Sequence, residues 1–272
     1  DLQNRIIRVL HALSFVDDAT RILRAIRFST RFDFRLDPRT LSLLSSSLSL
    51  LNEISGQRLR HELDLIFLEY NIGGALKAMD RLTVLEVIDP HLSWNPVVDA
   101  RIAYLNQPTA HAEWSTETHE SQLNLRQALA YCYWLEDLTD DGLQQVSARL
   151  RIPARVVSAI LDTGKLRRLL PELTLMKPSQ VVRALKGFSD LALTAVYQST
   201  EASSLREPLR LYITRYLHVK PIVTGTDLRA RGLSPSPEFQ KILNALRDAW
   251  LDGSVSSAQE ESALLEQLLK SR

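Results

Sequence analysis

From Asp17 to Lys270, apolar residues recur three and four positions apart in block after block, and almost nothing alternates as a strand would. This periodicity constrains the fold more than any other feature. Glycine is scarce, at 9 of 272 residues, strong β-formers are not clustered, and Leu, Ala and Arg dominate. The chain is therefore expected to be all-α. Its 272 residues suffice for one large or two to three small domains with a sizeable core.

The punctuation places the helices. Asp17 or Asp18 can cap a helix over 17–34, and Asp37-Pro38 opens the next, through LSLLSSSLSLL. Ser55 caps SGQRLRHELDLIFLEY, whose Leu59, Leu63, Ile66 and Phe67 share a face. GGALKAMDRLTVLEVI reads as one helix stopped by Asp89-Pro90, and 91–116 as a looser boundary. Helices are predicted over 117–134, 140–149, 153–170, 177–186 and 189–200, then near 224–231, 237–250 and 256–270. The chain opens in mid-element with DLQNRIIRVL, and we expect it to be a piece of a longer polypeptide.

Within DDATRILRAIRFSTRF, at about 100° per residue, Ile22, Leu23 and Ile26 share one face with Ser29 and Thr30. Arg24, Arg27 and Arg31 gather opposite, and Asp18 and Arg21 stand about 60° apart on a shoulder, near Ala25, Phe28 and Phe32. One reading is structural: an Asp18–Arg21 helix ion pair beside a solvated cationic face. The other is chemical. A carboxylate only accepts hydrogen bonds and a guanidinium only donates. Side by side they match a base edge offering an amino group next to a bare ring nitrogen, as cytosine and adenine do and uracil and guanine do not. The other arginines would hold phosphates.

DLQNRIIRVL followed by DDATRILRAIRFSTRFDFRLDPRT resembles the tRNA nucleotidyltransferase / bacterial poly(A) polymerase family, in its class II (CCA-adding) branch. The first stretch is similar to the end of that family's catalytic head. Asp17, Asp18, Arg21 and Arg24 match its (E/D)-D-x-x-R-x-x-R motif. Ser55, Arg58 and Glu62 match its next motif, which otherwise reads as a capped helix with an Arg58–Glu62 pair. VTGTDLRARGLSPSPEFQKILNALRDAWLDGSVSS resembles the family's tail, with Ser236 where a Gly is usual. The middle, 92–205, matches no motif.

The resemblance implies an elongated neck (15–90), body (91–205) and tail (206–272) after a short head remnant (1–14). It implies addition of CMP and/or AMP to tRNA 3′ ends. Asp18 and Arg21 would read the base, Arg24 and Arg27 would position it or its phosphates, and Asp17, Ser55, Arg58 and Glu62 would support them. Arg229, Arg231 and Lys241 would contact RNA, in particular the acceptor arm of tRNA. ATP and CTP would be the substrates. Mg²⁺ would be held by carboxylates of the head, so no catalytic or metal-binding residue is expected in this chain. A poly(A)-adding enzyme, a CC-only or A-only adder, and a non-catalytic RNA-binding module are the alternatives.

Other classes are disfavoured. The net charge of +1 points to no partner by itself. The lone Cys132 permits no intrachain disulfide and, with no long apolar run, suggests a cytoplasmic protein. His111 and His119, near Glu113 and Glu117, read as loop and helix-entry residues rather than a metal site. His61 reads as a neighbour of the site, and Gly73-Gly74 as a helix junction.

Overall fold

The computed structural model describes residues 1–107, 123–231 and 237–270. His111, Glu113, Glu117, His119, Gly232, Pro235 and Ser236 lie outside the described residues. The described residues form sixteen α-helices and one pair of two-residue strands, the helical fold that the periodicity predicts. They fall into two compact units, one of residues 1–166 and 189–199, the other of 167–188 and 200–272.

The chain passes through β1 (Ile6–Ile7), α1 (Ser14–Asp17), α2 (Arg21–Phe32), β2 (Arg35–Leu36), α3 (Pro38–Ser46), α4 (Gly56–Ile66), α5 (Ile72–Arg81) and α6 (Val84–Ile88). It continues through α7 (Pro96–Ala103), α8 (Leu125–Leu135), α9 (Asp140–Leu150) and α10 (Ala154–Leu173), within which the first unit ends. α11 (Pro178–Leu185) belongs to the second unit and α12 (Asp190–Gln198) to the first. The second unit is completed by α13 (Ser203–Thr214), α14 (Gly225–Ala230), α15 (Pro237–Leu251) and α16 (Ala258–Lys270).

In the first unit, Ile22, Leu23 and Ile26 of α2 and Leu59, Leu63 and Ile66 of α4 are fully buried in one continuous core, as their spacing predicts. Each such side chain contributes about 1.5–3 kcal/mol by leaving water. α2 stops at Asp33, whose left-handed backbone lets the Phe34 N–H reach the Ser29 carbonyl at 2.8 Å. The chain then returns as β2, which pairs in parallel with β1 in the register Ile6 to Arg35 and Ile7 to Leu36. The Asp37 carboxylate accepts the N–H groups of Arg39 and Thr40, so α3 begins at Pro38 as its sequence requires. α8 is buried from Gln127 to Leu135, which explains the continuous apolar run around Cys132. Burial pushes the Cys132 thiol up to about 12.

In the second unit, Leu228, Ile242, Leu246 and Leu265 form a small core. The buried Glu261 carboxylate accepts bonds from the backbone of Ile222 and Val223 and from Trp250 Nε1. Thr224 caps α14, where the Asp227 carboxylate takes both its N–H and its hydroxyl at 2.7 Å. Pro237 starts α15, as predicted.

Several boundaries differ from expectation. The helix predicted over 17–34 begins only at Arg21, because Asp18 is extended (φ −155°, ψ 102°) and bonds the Thr20 backbone instead. The single helix predicted after Gly73-Gly74 is broken at Thr83, whose left-handed φ of 58° separates α5 from α6. The looser boundary at 91–116 contains α7, capped by Asn95, with Pro96 at its first position. α13 accommodates Pro208 within its span. α10 runs through Pro171 rather than stopping at 170.

Candidate functional site

The site is built by α2, α4 and the segment that precedes α2. Asp18 sits at the turn between α1 and α2. Its Oδ1 accepts the Thr20 N–H at 3.0 Å and the Thr20 hydroxyl at 2.7 Å, and Arg58 Nη2 donates to it at 2.8 Å. Partial burial would raise this carboxyl, but the Thr20 bonds and the charges of Arg58 and Arg21 outweigh it and hold the group below the usual range. Asp18 is therefore an anion, and all its bonds among the described residues fall on one oxygen, leaving Oδ2 as an acceptor.

The helix ion pairs expected from sequence are exchanged for pairs between elements. Arg21 does not bond Asp18. Its Nη1 donates to the carbonyl and hydroxyl oxygens of Ser14, both at 3.1 Å. Arg58 bonds Asp18 rather than Glu62, and Glu62 Oε1 is met by Arg24 Nε at 3.1 Å. The reason is geometric. α2 packs against α4, which brings Arg24 to Glu62 and Arg58 to Asp18 across the contact, while Arg21 reaches back to Ser14. Glu62 is almost wholly buried, and its side chain would be costly there without Arg24.

Asp18 and Arg21 thus keep their capacity for a third party, because neither is bonded to the other. They border adjoining cavities. One, of about 300 Å³, is lined by Asp18, Thr20, Arg24, Arg58, His61 and Glu62. The other, of about 470 Å³, places Arg8, Arg21, Arg24 and Arg27 against apolar walls that include Phe15 and Phe28. Arg24 lines both. Two further atoms have unmet capacity: Glu62 Oε2 and Arg27 Nε are buried with no hydrogen-bond partner among the described residues. A cavity with cationic and apolar walls, beside one bordered by the Asp18 carboxylate, suits a molecule carrying both an anion and a flat polar ring.

The remaining predicted residues are less central. Asp17 closes α1 and lines neither cavity, but lies 3.6 Å from His11, which borders the second. Ser55 stands at the cap position of α4, but its side chain accepts no bond. His61 lines the first cavity, as expected of a neighbour. Arg229, Arg231 and Lys241 are exposed in the second unit, and Arg231 is bonded to Glu266. The described residues contain no cluster of three or more His, Cys, Asp or Glu side chains arranged to hold a metal.

Two arginines that frame the site escaped the sequence reading. Arg149 donates to the carbonyls of Leu51 (2.8 Å), Ile54 (2.9 Å) and Ile88 (3.3 Å). Arg126 donates to those of Phe67 and Glu69, both at 2.8 Å, and of Leu105. They tie down the chain entering α4 and leaving it. Gly56 is part of the same arrangement, since a Cβ there would lie 2.0 Å from the Arg149 carbonyl oxygen. No local sequence signal marks these residues, because their partners are main-chain oxygens distant in sequence.

Residues 33–95 match the family model described as "Probable RNA and SrmB-binding site of polymerase A". The A-adding tRNA nucleotidyltransferase of Geobacter sulfurreducens is 27% identical over 281 residues, which is 100% of this chain and 32% of that protein. Its counterpart from Halalkalibacterium halodurans is 24% identical over 96% of this chain and 58% of its own length. The chain therefore spans between a third and three fifths of these relatives. Among solved structures, the Thermotoga maritima CCA-adding enzyme complexed with tRNA aligns with TM-score 0.74 and 28% identity, covering 100% of this chain and 65% of that one. A CCA-adding enzyme in complex with ATP aligns with TM-score 0.77 and 28% identity, covering 100% and 64%. The chain is similar over its whole length to tRNA nucleotidyltransferases, and its helical fold matches the helical C-terminal part of CCA-adding enzymes.

Proposed function

We propose that this chain is the nucleotide- and RNA-binding part of a template-independent tRNA nucleotidyltransferase that adds CMP and/or AMP to tRNA 3′ ends. The observation that carries the reading is that Asp18 and Arg21 are each fixed by other partners, so acceptor and donor stay open next to a cavity lined by arginines. Asp18 Oδ2 would accept the amino group of cytosine or adenine, and Arg21 would donate to the neighbouring ring nitrogen. A keto oxygen facing Asp18 would be repelled, which disfavours UTP and GTP. Arg24 and Arg27 would hold the base or its phosphates, with Arg58 and Glu62 bracing Asp18 and Arg24. Arg229, Arg231 and Lys241 would contact the acceptor arm, with Arg231 first released from Glu266.

The four divisions at 1–14, 15–90, 91–205 and 206–272 are retained as head remnant, neck, body and tail. Following the family resemblance, Mg²⁺ is assigned to the carboxylates of a catalytic head, and no step here passes through it. No helix among the described residues is long and apolar enough to cross a membrane, and a cytoplasmic location is part of the proposal.

The test is an incorporation assay with the natural full-length polypeptide, using labelled CTP and ATP and a tRNA transcript ending before its CCA. Incorporation confined to C and A supports the reading; no incorporation into any RNA overturns it. The family model over 33–95 favours poly(A) addition as the second reading. It would show as AMP-only extension of general RNA 3′ ends.

A further inference from the structure

α2 carries a feature that base reading does not use. Phe28 and Phe32, one helical turn apart, present nearly parallel rings (centroids 6.1 Å apart, 18° between planes). Phe34 continues the row 5.8 Å beyond Phe32. The row faces solvent: Phe32 is 50% and Phe28 36% exposed. Arg27 lies over the Phe28 ring at 4.9 Å and Arg31 over the Phe32 ring at 5.3 Å. One Arg31 nitrogen also bonds Glu69 at 3.4 Å. Phe28 and Arg27 are at the same time walls of the arginine cavity.

We propose that this Phe28–Phe32–Phe34 row, with Arg27 and Arg31, is a stacking platform that seats the bases of a single-stranded RNA end and directs it to the arginine cavity. Exposed rings call for an apolar partner, whereas the Arg27 guanidinium, whose Nε has no hydrogen-bond partner among the described residues, calls for an anion, and Arg31 is paired with Glu69 alone among those residues. An apolar protein surface would meet the first need and strip water from the two cations without return. A single-stranded nucleic acid meets both, since every base has a stacking face and every linkage a charge. A duplex offers its bases to no such row. The direction of the strand rests on the reading of the cavity as a nucleotide site, because the strand would be the acceptor whose 3′ end is extended there.

The experiment measures binding of a 5′-fluorescein cytidine hexaribonucleotide to the full chain by anisotropy across a salt series, with an RNA duplex of equal length as control. Phe32 is exposed and lies outside both cavities, so its variants probe the platform alone. Phe32→Leu should weaken hexamer binding about tenfold and leave the duplex unaffected, whereas Phe32→Tyr should stay within about twofold of the original. Arg31→Gln should reduce the slope of log affinity against log salt by about 0.7. Equal losses for Phe32→Leu and Phe32→Tyr, no loss for Phe32→Leu, or equal losses on duplex would each overturn the platform. Thermal unfolding of the variants separates loss of binding from loss of fold. CTP binding by the unsubstituted chain is measured in parallel. Its absence would count against the cavity reading and leave the hexamer result to stand by itself.

Discussion

Two sets of arginines in the first unit make opposite use of the same side chain. Arg126 and Arg149 place their donors on main-chain carbonyls and lock the ends of α4. Arg21, Arg24 and Arg58 reach one partner each on the next element and otherwise line cavities or solvent. A guanidinium presents five donors in a fixed fork. Saturated by carbonyls, the fork is a structural bolt; partly filled, it holds a defined position and still has donors for a ligand. The comparison separates fold from function among residues that the sequence alone presents as equivalent.

The largest expected effect is on the bolts. Arg126→Ala leaves the carbonyls of Phe67, Glu69 and Leu105 without their donor and should destabilise the first unit by about 2–4 kcal/mol, measured by urea unfolding. Gly56→Ala tests the same clamp from the other side. The clash with the Arg149 carbonyl should lower stability by about 2 kcal/mol, with Arg149→Ala in the same background less than additive.

A smaller effect depends on pH. Burial raises the Asp64 carboxyl to about 6 despite the Tyr131 hydroxyl donating to it at 2.8 Å and Arg60 nearby. The folded state therefore binds the proton more tightly than the unfolded chain. The stabilisation from Asp64 is complete below about pH 4 and is lost as pH rises through about 6. Unfolding midpoints at pH 4.5 and 7 should show this decline for the natural sequence and a flatter profile for Asp64→Asn.

The smallest stability effect belongs to the open set. Arg58→Ala removes a half-exposed ion pair with Asp18 and should change stability by less than about 1 kcal/mol. Its larger consequence should appear in nucleotide choice, since Asp18 loses its brace. A large stability loss here, or a negligible one for Arg126→Ala, would erase the distinction between the two sets.

The periodicity carried most of the helices and the buried faces of α2 and α4, because a 3.6-residue stripe is a direct imprint of burial. Local caps such as Asp37 and Thr224 were equally legible, since partner and cap lie within three residues. Asp18 shows where this stops. The motif marked the residue, but its position in the turn and its bond to Arg58, 40 residues away, are products of how α2 meets α4. The same holds for Arg24 and Glu62. Arg126 and Arg149 were invisible for a stronger reason: any residue can supply a carbonyl, so no side-chain pattern announces their partners. Thr83 broke a helix that its composition favoured, because a left-handed backbone outside glycine is selected by packing rather than propensity.

The most direct test of the central claim is the ratio of CTP and ATP to UTP and GTP used by the natural full-length polypeptide on tRNA. The ratio is compared between the original and an Asp18→Ala, Arg21→Ala double variant whose unfolding curve is close to the original. The account predicts that the double variant loses discrimination, with UTP and GTP gaining relative to CTP and ATP. An unchanged ratio would contradict it and return these two residues to the structural set.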